Sequence, residues 1–281
     1  MNPLAFTATS TWMSISTLPT RAVLEVTGED RLIFLQGLIS QDVHAATDGR
    51  MAWSALLTPQ GKWLADFFIA GGPDRLLLDA EAGQAALLMA RLLRFRLRSK
   101  VAMALLPGWV VQVGWDLPVP AGASPDPRLP EAGWRHLTPV PTTADAMPED
   151  YDAHRLALGL PDGSRDMEPE HSVLLEAGFD ELHGISWTKG CYMGQELTAR
   201  TRYRGLVKRR LVPVEVEGPL PARGTPITRD GAEVGEMRSG VGRHGLALLR
   251  LAALDGALRC GDAVLRTRLP GWMRLPAASD A

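Results

Sequence analysis

The chain has 281 residues, 46% of them hydrophobic and 22% charged, and a formal net charge of −2. That balance excludes a disordered or fibrous chain and leaves room for more than one domain. It gives no global charge to draw the chain to nucleic acid or an anionic membrane, and no apolar run reaches the roughly 20 residues that span a bilayer.

Residues 1–20 carry neither acid nor base, and the first basic residue is Arg21. They read as neither a secretory signal nor an Arg-rich transit peptide. Residues 21–26 predict a strand that meets a turn at Gly28, after which Asp30 is placed to cap a helix carrying Leu32, Leu35 and Leu38. Residues 51–58 and 62–70 predict a hairpin around Pro59-Gln60-Gly61, and residues 75–78 a further short strand. A helix is predicted over 82–98, with Leu87, Leu88, Leu92, Leu93 and Phe95 on its apolar side. Its arginines, Arg91, Arg94, Arg96 and Arg98, either are solvated or face an anionic partner. Residues 109–114 predict a strand.

Eight prolines then fall between 116 and 150, which precludes a long regular element and predicts a connection or short edge strands between domains. A helix resumes near Asp150 and stops before Pro161. From 206 onward, short apolar runs separated by Gly and Pro predict a small antiparallel barrel or sandwich.

The chain has two cysteines, Cys191 and Cys260. Two thiols make no disulfide framework, fit a reducing compartment, and fall short of the four thiolates that usually hold an iron–sulfur cluster. No resident metal site is expected within one chain. Cys191 stands in the most distinctive stretch, ISWTKGCYMGQELTARTRYRGLVKRR at 185–210, where seven basic residues from Lys189 to Arg210 meet one acid, Glu196. Gly190 permits a sharp turn before the cysteine. A helix is predicted from near Tyr192 to before Gly205, with Glu196 and Arg200 paired one turn apart. A thiol at a helix N-terminus beside Lys189 is expected to favour the nucleophilic thiolate. Cys260, in the β region, reads as structural.

The run K-G-C-Y-M-G-Q-E at 189–196 resembles the signature of the YgfZ family of folate-binding proteins, and L-T-A-R-T-R-Y-R-G at 197–205 resembles its iron–sulfur maturation branch. F-L-Q-G-L-I-S-Q-D-V at 34–43, T-P-Q-G-K at 58–62, R-L-R-S-K-V at 96–101, G-L-P-D-G-S-R-D at 159–166 and E-V-G-E-M-R-S-G at 233–240 are similar to family stretches in the same order. The resemblance implies an α+β class and the three-lobed fold of the T-protein of glycine cleavage: two α+β domains and a C-terminal antiparallel β-barrel around a central channel. It implies a first domain from 1–50 plus 145–205, an inserted second domain at 51–144, and a barrel domain at 206–281.

The same resemblance implies bound tetrahydrofolate or a derivative. Cys191 and Lys189 carry over as the reactive pair. Gln195, Glu196 and Arg200, with Gln41, Asp42, Gln60, Lys62 and Asp66, carry over as the ligand-binding set. Two departures from the T-protein stand out. One acid of its Asp-Asp pair is replaced by Ala65, leaving Asp66. Its pteridine-holding Glu-Ala-Gly run is matched to Ala157-Leu158-Gly159. The missing carboxylates disfavour aminomethyl transfer, because a buried pterin donor left unpaired costs about 1–3 kcal/mol.

The implied function is therefore a folate-dependent accessory role in iron–sulfur cluster assembly or repair, with carrier or client proteins as partners, in a bacterial cytoplasm or a mitochondrial matrix. A monomer without membrane contact is expected. A tetrahydrofolate-dependent aminomethyl- or one-carbon transferase is the alternative. A tRNA-associated role ranks below both, because only Tyr192 and Tyr203 interleave with the basic run.

Overall fold

The computed structural model describes residues 14–47 and 49–275, so the reading of residues 1–13 lies outside the described part. The N-terminal two thirds contains β1 (Ser14–Thr17), β2 (Arg21–Thr27), α1 (Arg31–Gln36), β3 (Met51–Leu57), β4 (Trp63–Gly71), β5 (Arg75–Glu81), α2 (Ala82–Leu93), β6 (Ala102–Leu105), β7 (Val110–Trp115), β8 (Ser124–Pro125), β9 (Trp134–Thr138), α3 (Pro148–Leu158), α4 (Gly163–Asp166) and α5 (Gln195–Tyr203). The remainder is β10 (Arg209–Glu217), β11 (Pro226–Arg229), β12 (Ala232–Val241), β13 (His244–Arg250), β14 (Ala257–Cys260) and β15 (Ala263–Thr267).

These strands make a five-stranded sheet β3-β4-β5-β2-β6, a four-stranded sheet β1-β7-β9-β8, and a closed six-stranded barrel β10-β13-β12-β11-β14-β15. The class is α+β with a C-terminal barrel, as the sequence implies. The expected boundary at 50/51 does not follow the sheets. β2 is zipped along its whole length to β5 and also pairs with β6, while β1 pairs with β7. The first 27 residues thus contribute a strand to each N-terminal sheet.

Strand alternation explains how the central sheet joins two cores. Every residue of β3 is buried. Ala52 and Leu56 face one apolar cluster with Phe67, Ile69, Leu35 and Leu88, while Met51, Trp53, Ala55 and Leu57 face another. The second cluster gathers Phe68, Leu156, Phe179 and Tyr192 with Leu211, Leu246 and Leu248 of the barrel. It is the apolar joint of the molecule.

Several expectations shift locally. α1 ends at Gln36, leaving Leu38 beyond it, and the Asp30 carboxylate accepts from the Lys100 backbone N–H at 2.7 Å instead of capping the helix. α2 stops at Leu93. Its buried line is Ala85, Leu88 and Leu92, and Leu87 and Phe95 are exposed. The proline-rich stretch supplies β8 and β9 and holds the buried Asp126, Arg128 and Arg135.

Those charges meet the aromatic centre. Trp53 stacks on Phe179 with centroids 3.8 Å apart, and the Arg135 guanidinium lies 3.9 Å from the Phe68 ring centroid. Arg135 and Arg21 share the Asp79 carboxylate, Arg128 pairs with Asp126 at 2.8 Å, and Arg135 donates to the Tyr151 hydroxyl at 3.0 Å. Buried charges need such pairing, since an isolated one carries a large desolvation penalty.

Candidate functional site

Cys191 lies on the loop between the 174–177 turn region and α5, and its side chain is exposed. The loop is tied down from beneath. The Ser186 N–H donates to the Ser40 carbonyl at 3.0 Å, and the Met193 N–H to the Gly37 carbonyl at 3.2 Å. The Lys189 ammonium donates to the carbonyls of Ile39 and Gln41 at 2.7 and 2.9 Å. Tyr192 is buried in the joint at 6% exposure, and burial pushes its phenol up to about 12. The chain alternates anchor and display: Lys189 and Tyr192 point inward, and Cys191 between them faces solvent.

The helix starts later than the sequence suggests. Gly194, at φ +82°, is in the left-handed region and cannot continue a helix toward Tyr192, so α5 begins at Gln195. Cys191 therefore sits outside the helix, and the expected help from its N-terminus does not reach the thiol directly. The Gln195 side chain instead accepts from the Tyr192 N–H at 3.4 Å and steadies the loop. The ammonium of Lys189 is engaged by carbonyls. Burial lowers it to about 8, against the opposing pull of the Asp42 charge.

Gln41 and Asp42 join this network. Gln41 donates through its amide to the His183 carbonyl at 2.5 Å and accepts from the Asp42 N–H at 2.7 Å. Partial burial pushes the Asp42 carboxyl up, but bonds from the His44 backbone and side chain and from Gln36 outweigh it and hold the carboxyl below its usual range. The hairpin turn packs against the head of α5, since a Cβ on Gly61 would come within 2.9 Å of the Gly194 carbonyl oxygen. Gln60 at its tip is exposed, and the Lys62 ammonium donates to the His171 carbonyl at 3.1 Å. Glu196 and Arg200 form the expected pair at 3.0 Å on the outer face of α5.

Asp66 stands apart, in the aromatic joint. It is 3% exposed, and its Oδ2 accepts from the Trp53 indole N–H at 2.9 Å. Its Oδ1 has no hydrogen-bond partner. Burial raises the carboxyl to about 6 despite the Arg21 charge. An unpartnered buried oxygen suits a pterin donor; the neighbouring Trp53 ring stacks on Phe68 and Phe179, with Arg128 against the rings. Neither Asp66 nor Cys191 lines any of five cavities of about 180 to 600 Å³ among the described residues. The folate set as carried over thus divides among the Cys loop, the hairpin, the exposed face of α5 and the buried interior. Of its members, Gln41 lines one of these cavities, of about 350 Å³, together with Asp126 and His183.

The basic run is largely neutralised in space. Arg200 pairs with Glu196, Arg202 with Asp180, Arg209 with Glu176 and Arg210 with Glu181. Only the Glu196 pair follows from the sequence; Asp180, Glu176 and Glu181 lie on the preceding segment, which the fold brings alongside. The sequence reading passed over a literal Glu176-Ala177-Gly178 run in favour of 157–159. Glu176 is engaged with Arg209 at 3.3 Å, an ion pair at the base of β10. Cys260, by contrast, behaves as read: it is 1% exposed, its thiol meets the Thr225 carbonyl at 3.7 Å, and burial pushes it up.

Chemically, the loop offers one soft sulfur donor to a centre outside the chain. Thiolate ligands suit zinc and iron–sulfur clusters. The chain's other sulfur thiol is enclosed in the barrel, so any cluster engaging Cys191 must take its further ligands from elsewhere.

Comparison with known proteins bears on the fold and the family. Residues 208–275 match the model of the CAF17 C-terminal beta-barrel domain. The chain is 33% identical to the mouse iron–sulfur cluster assembly factor IBA57, mitochondrial, over 85% of this chain and 78% of that protein. The human protein of the same name is 32% identical over 95% of this chain and 86% of its own length. Among solved structures, the glycine cleavage system aminomethyltransferase T from Bartonella henselae superposes with a TM-score of 0.72, covering 92% of this chain and 85% of that one. At 14% identity that likeness concerns the fold alone.

Proposed function

This chain belongs to the IBA57 family of iron–sulfur cluster assembly factors, and from that premise we propose that it serves cluster maturation by presenting Cys191 to a cluster whose other ligands come from a second protein. The observation that carries the reading is the contrast between the two cysteines. Cys191 is exposed on a loop braced by Lys189, Tyr192 and Met193, whereas Cys260 is enclosed by β-barrel side chains. A single displayed thiol supplies one corner of a cluster, and an assembly factor so equipped works only in company with a carrier or client protein.

In this reading Cys191 is the ligand to the cargo. Lys189 acts as a positioning residue, because two of its three donors are engaged by the Ile39 and Gln41 carbonyls. The chain acts as a monomeric accessory factor in a reducing compartment, either a bacterial cytoplasm or, as the names of its relatives state for them, a mitochondrion. Tetrahydrofolate, which the family resemblance implies, is compatible with the T-protein-like fold; the proposal rests on Cys191 and routes no step through the folate. Aminomethyl transfer is not part of the proposal, because Ala65 stands where the T-protein has one of its paired acids.

The test is complementation. In cells lacking their own factor, Cys191→Ala is expected to abolish the activity of cluster-dependent enzymes while the purified variant keeps the wild-type circular dichroism and melting temperature. Full enzyme activity with Cys191→Ala would refute the reading. Titration of the purified chain with tetrahydrofolate, followed by calorimetry, tests the implied folate separately: saturable heat supports it, and a flat titration removes it.

A further inference from the structure

A cavity of about 410 Å³ opens beside the cysteine loop. Its walls include Leu57 and Leu64 of the central sheet, Met193 of the loop, Arg91, Arg94 and Phe95 at the end of α2, and Glu170, whose carboxylate is taken up by Arg91. Met193 is two residues from Cys191, so their Cα atoms are at most about 7.6 Å apart. The cavity therefore lies next to the loop that displays the thiol.

The segment leaving this cavity is anomalous for a protein surface. After α2, Arg94, Phe95, Arg96, Leu97 and Arg98 are all exposed. Leu97 is 89% exposed with φ +43°, a left-handed backbone that branched and bulky residues avoid, and Phe95 is 44% exposed. No carboxylate among the described residues pairs with Arg94, Arg96 or Arg98. Arg91 has only the Glu170 carboxylate at 3.5 Å. This contrasts with α5, where most arginines are already paired. Arg204 and Lys208 after α5 are also exposed and without a carboxylate partner, but the 94–98 segment is the one that reaches the cavity, through Arg94 and Phe95, and it carries apolar side chains among its charges.

Building on the function proposed above, we propose that this cavity and the Arg94–Arg98 segment dock an acidic segment of the protein that shares the cluster, with one apolar side chain of that segment seated in the cavity. Charge complementarity selects acid: three unpaired guanidiniums repel a basic partner and reward carboxylates, which they bind through paired N–H donors. The aliphatic lining from Leu57, Leu64 and Met193 selects an apolar side chain. A nucleic acid is also an anion, but base stacking asks for a platform of aromatic rings, and Phe95 is the one ring in the cavity wall. Docking here would orient the partner's ligands toward Cys191.

The test measures binding of the full chain to a panel of fluorescent acidic hexapeptides, each with a single leucine, against the same peptides with serine in its place. Wild type is expected to bind leucine peptides more tightly than their serine counterparts. The combined variant Arg94→Glu, Arg96→Glu, Arg98→Glu is expected to lose at least tenfold in affinity, and Phe95→Ser with Leu97→Ser to lose the preference for leucine. All five side chains are exposed, so these variants keep the fold, which melting curves verify. In the complementation cells the charge variant is expected to lower cluster-enzyme activity.

Equal peptide binding by wild type and the charge variant would overturn the inference, as would no binding by any peptide, or tighter binding of bulk tRNA with the same dependence on the three arginines. If Cys191→Ala abolishes maturation but the charge variant binds and matures normally, the docking surface is wrong and the function stands. If peptides bind as expected but Cys191→Ala matures clusters fully, the function is wrong and the docking surface stands.

Discussion

The Lys189 ammonium donates to the Ile39 carbonyl oxygen at 2.7 Å, across 150 residues of sequence. With its second bond to Gln41, it fastens the loop that displays Cys191 to the chain just after α1. Lys189→Met is therefore expected to strand two carbonyls and lower stability by about 1–3 kcal/mol. It should also raise hydrogen exchange at the amides of 190–193. The pH response follows from the ammonium's fall to about 8 from an ordinary 10.5. Between those values the unfolded chain binds more protons than the native one, so this group's contribution to stability rises with pH. Denaturant titrations from pH 7.5 to 10.5 should show wild type gaining on Lys189→Met across that window. Parallel curves would contradict the assignment.

The two thiols should separate kinetically. Iodoacetamide needs an accessible sulfur, and Cys260 is 1% exposed with its thiol raised by burial. Mass spectrometry of the folded chain is expected to show a single adduct, at Cys191, within minutes. A second adduct should appear only in guanidinium. Early labelling of Cys260 would show that the barrel opens readily and would weaken the contrast on which the proposed function rests.

Two glycines of the motif should respond differently to alanine. A Cβ on Gly194 would meet the Thr58 carbonyl oxygen at 2.6 Å and Leu57 Cβ at 2.9 Å, in addition to its φ of +82°. A Cβ on Gly190 would meet nothing within 4 Å, so only its φ of +96° penalises the change. Backbone strain of this kind costs of order 1–3 kcal/mol. Gly190→Ala is expected to lose about that much, and Gly194→Ala more, because the hairpin must also move. Chemical denaturation of both variants orders them. A larger loss at Gly190 would mean that the loop is packed differently.

Much of this architecture was legible in the residues. The hairpin around Gly61, the α3 segment before Gly159 and the barrel strands follow from alternation and turn residues, which act locally. The reading of Cys191 as a presented thiol rests on Lys189 and on a helix N-terminus beside it; the thiol is exposed, but the helix starts only at Gln195. What escaped was non-local. The pairing of β2 with β5 depends on contacts 58 residues apart, such as Arg21 with Asp79, which no window reveals. Gly194 in the left-handed region moved the start of α5 by three residues. The acids at 176, 180 and 181 reduced a basic stripe to ion pairs, and that required the fold to bring two segments together. Asp66 was identified by position, but its enclosure by Trp53, Phe68 and Phe179 depends on three separate segments.

Asp66 gives the sharpest pH prediction because it is enclosed. Its Oδ2 keeps the Trp53 indole bond, its Oδ1 has none, and burial raises the carboxyl from 3.8 to about 6. Between those values the native chain holds a proton that the unfolded chain has released. Stability therefore falls as pH climbs through the window, and the cost of the buried charge is fully felt above about 6. The gap corresponds to a net cost of about 3 kcal/mol, the Arg21 attraction already included. Asp66→Asn retains an oxygen for Trp53 and removes the charge. It is expected to be more stable than wild type at pH 7 by up to that amount and equal to it below pH 4. Guanidinium unfolding at pH 4, 5, 6 and 7 checks the trend. A wild-type advantage at pH 7 would show instead that the ionised carboxylate is needed by the arginines around the joint.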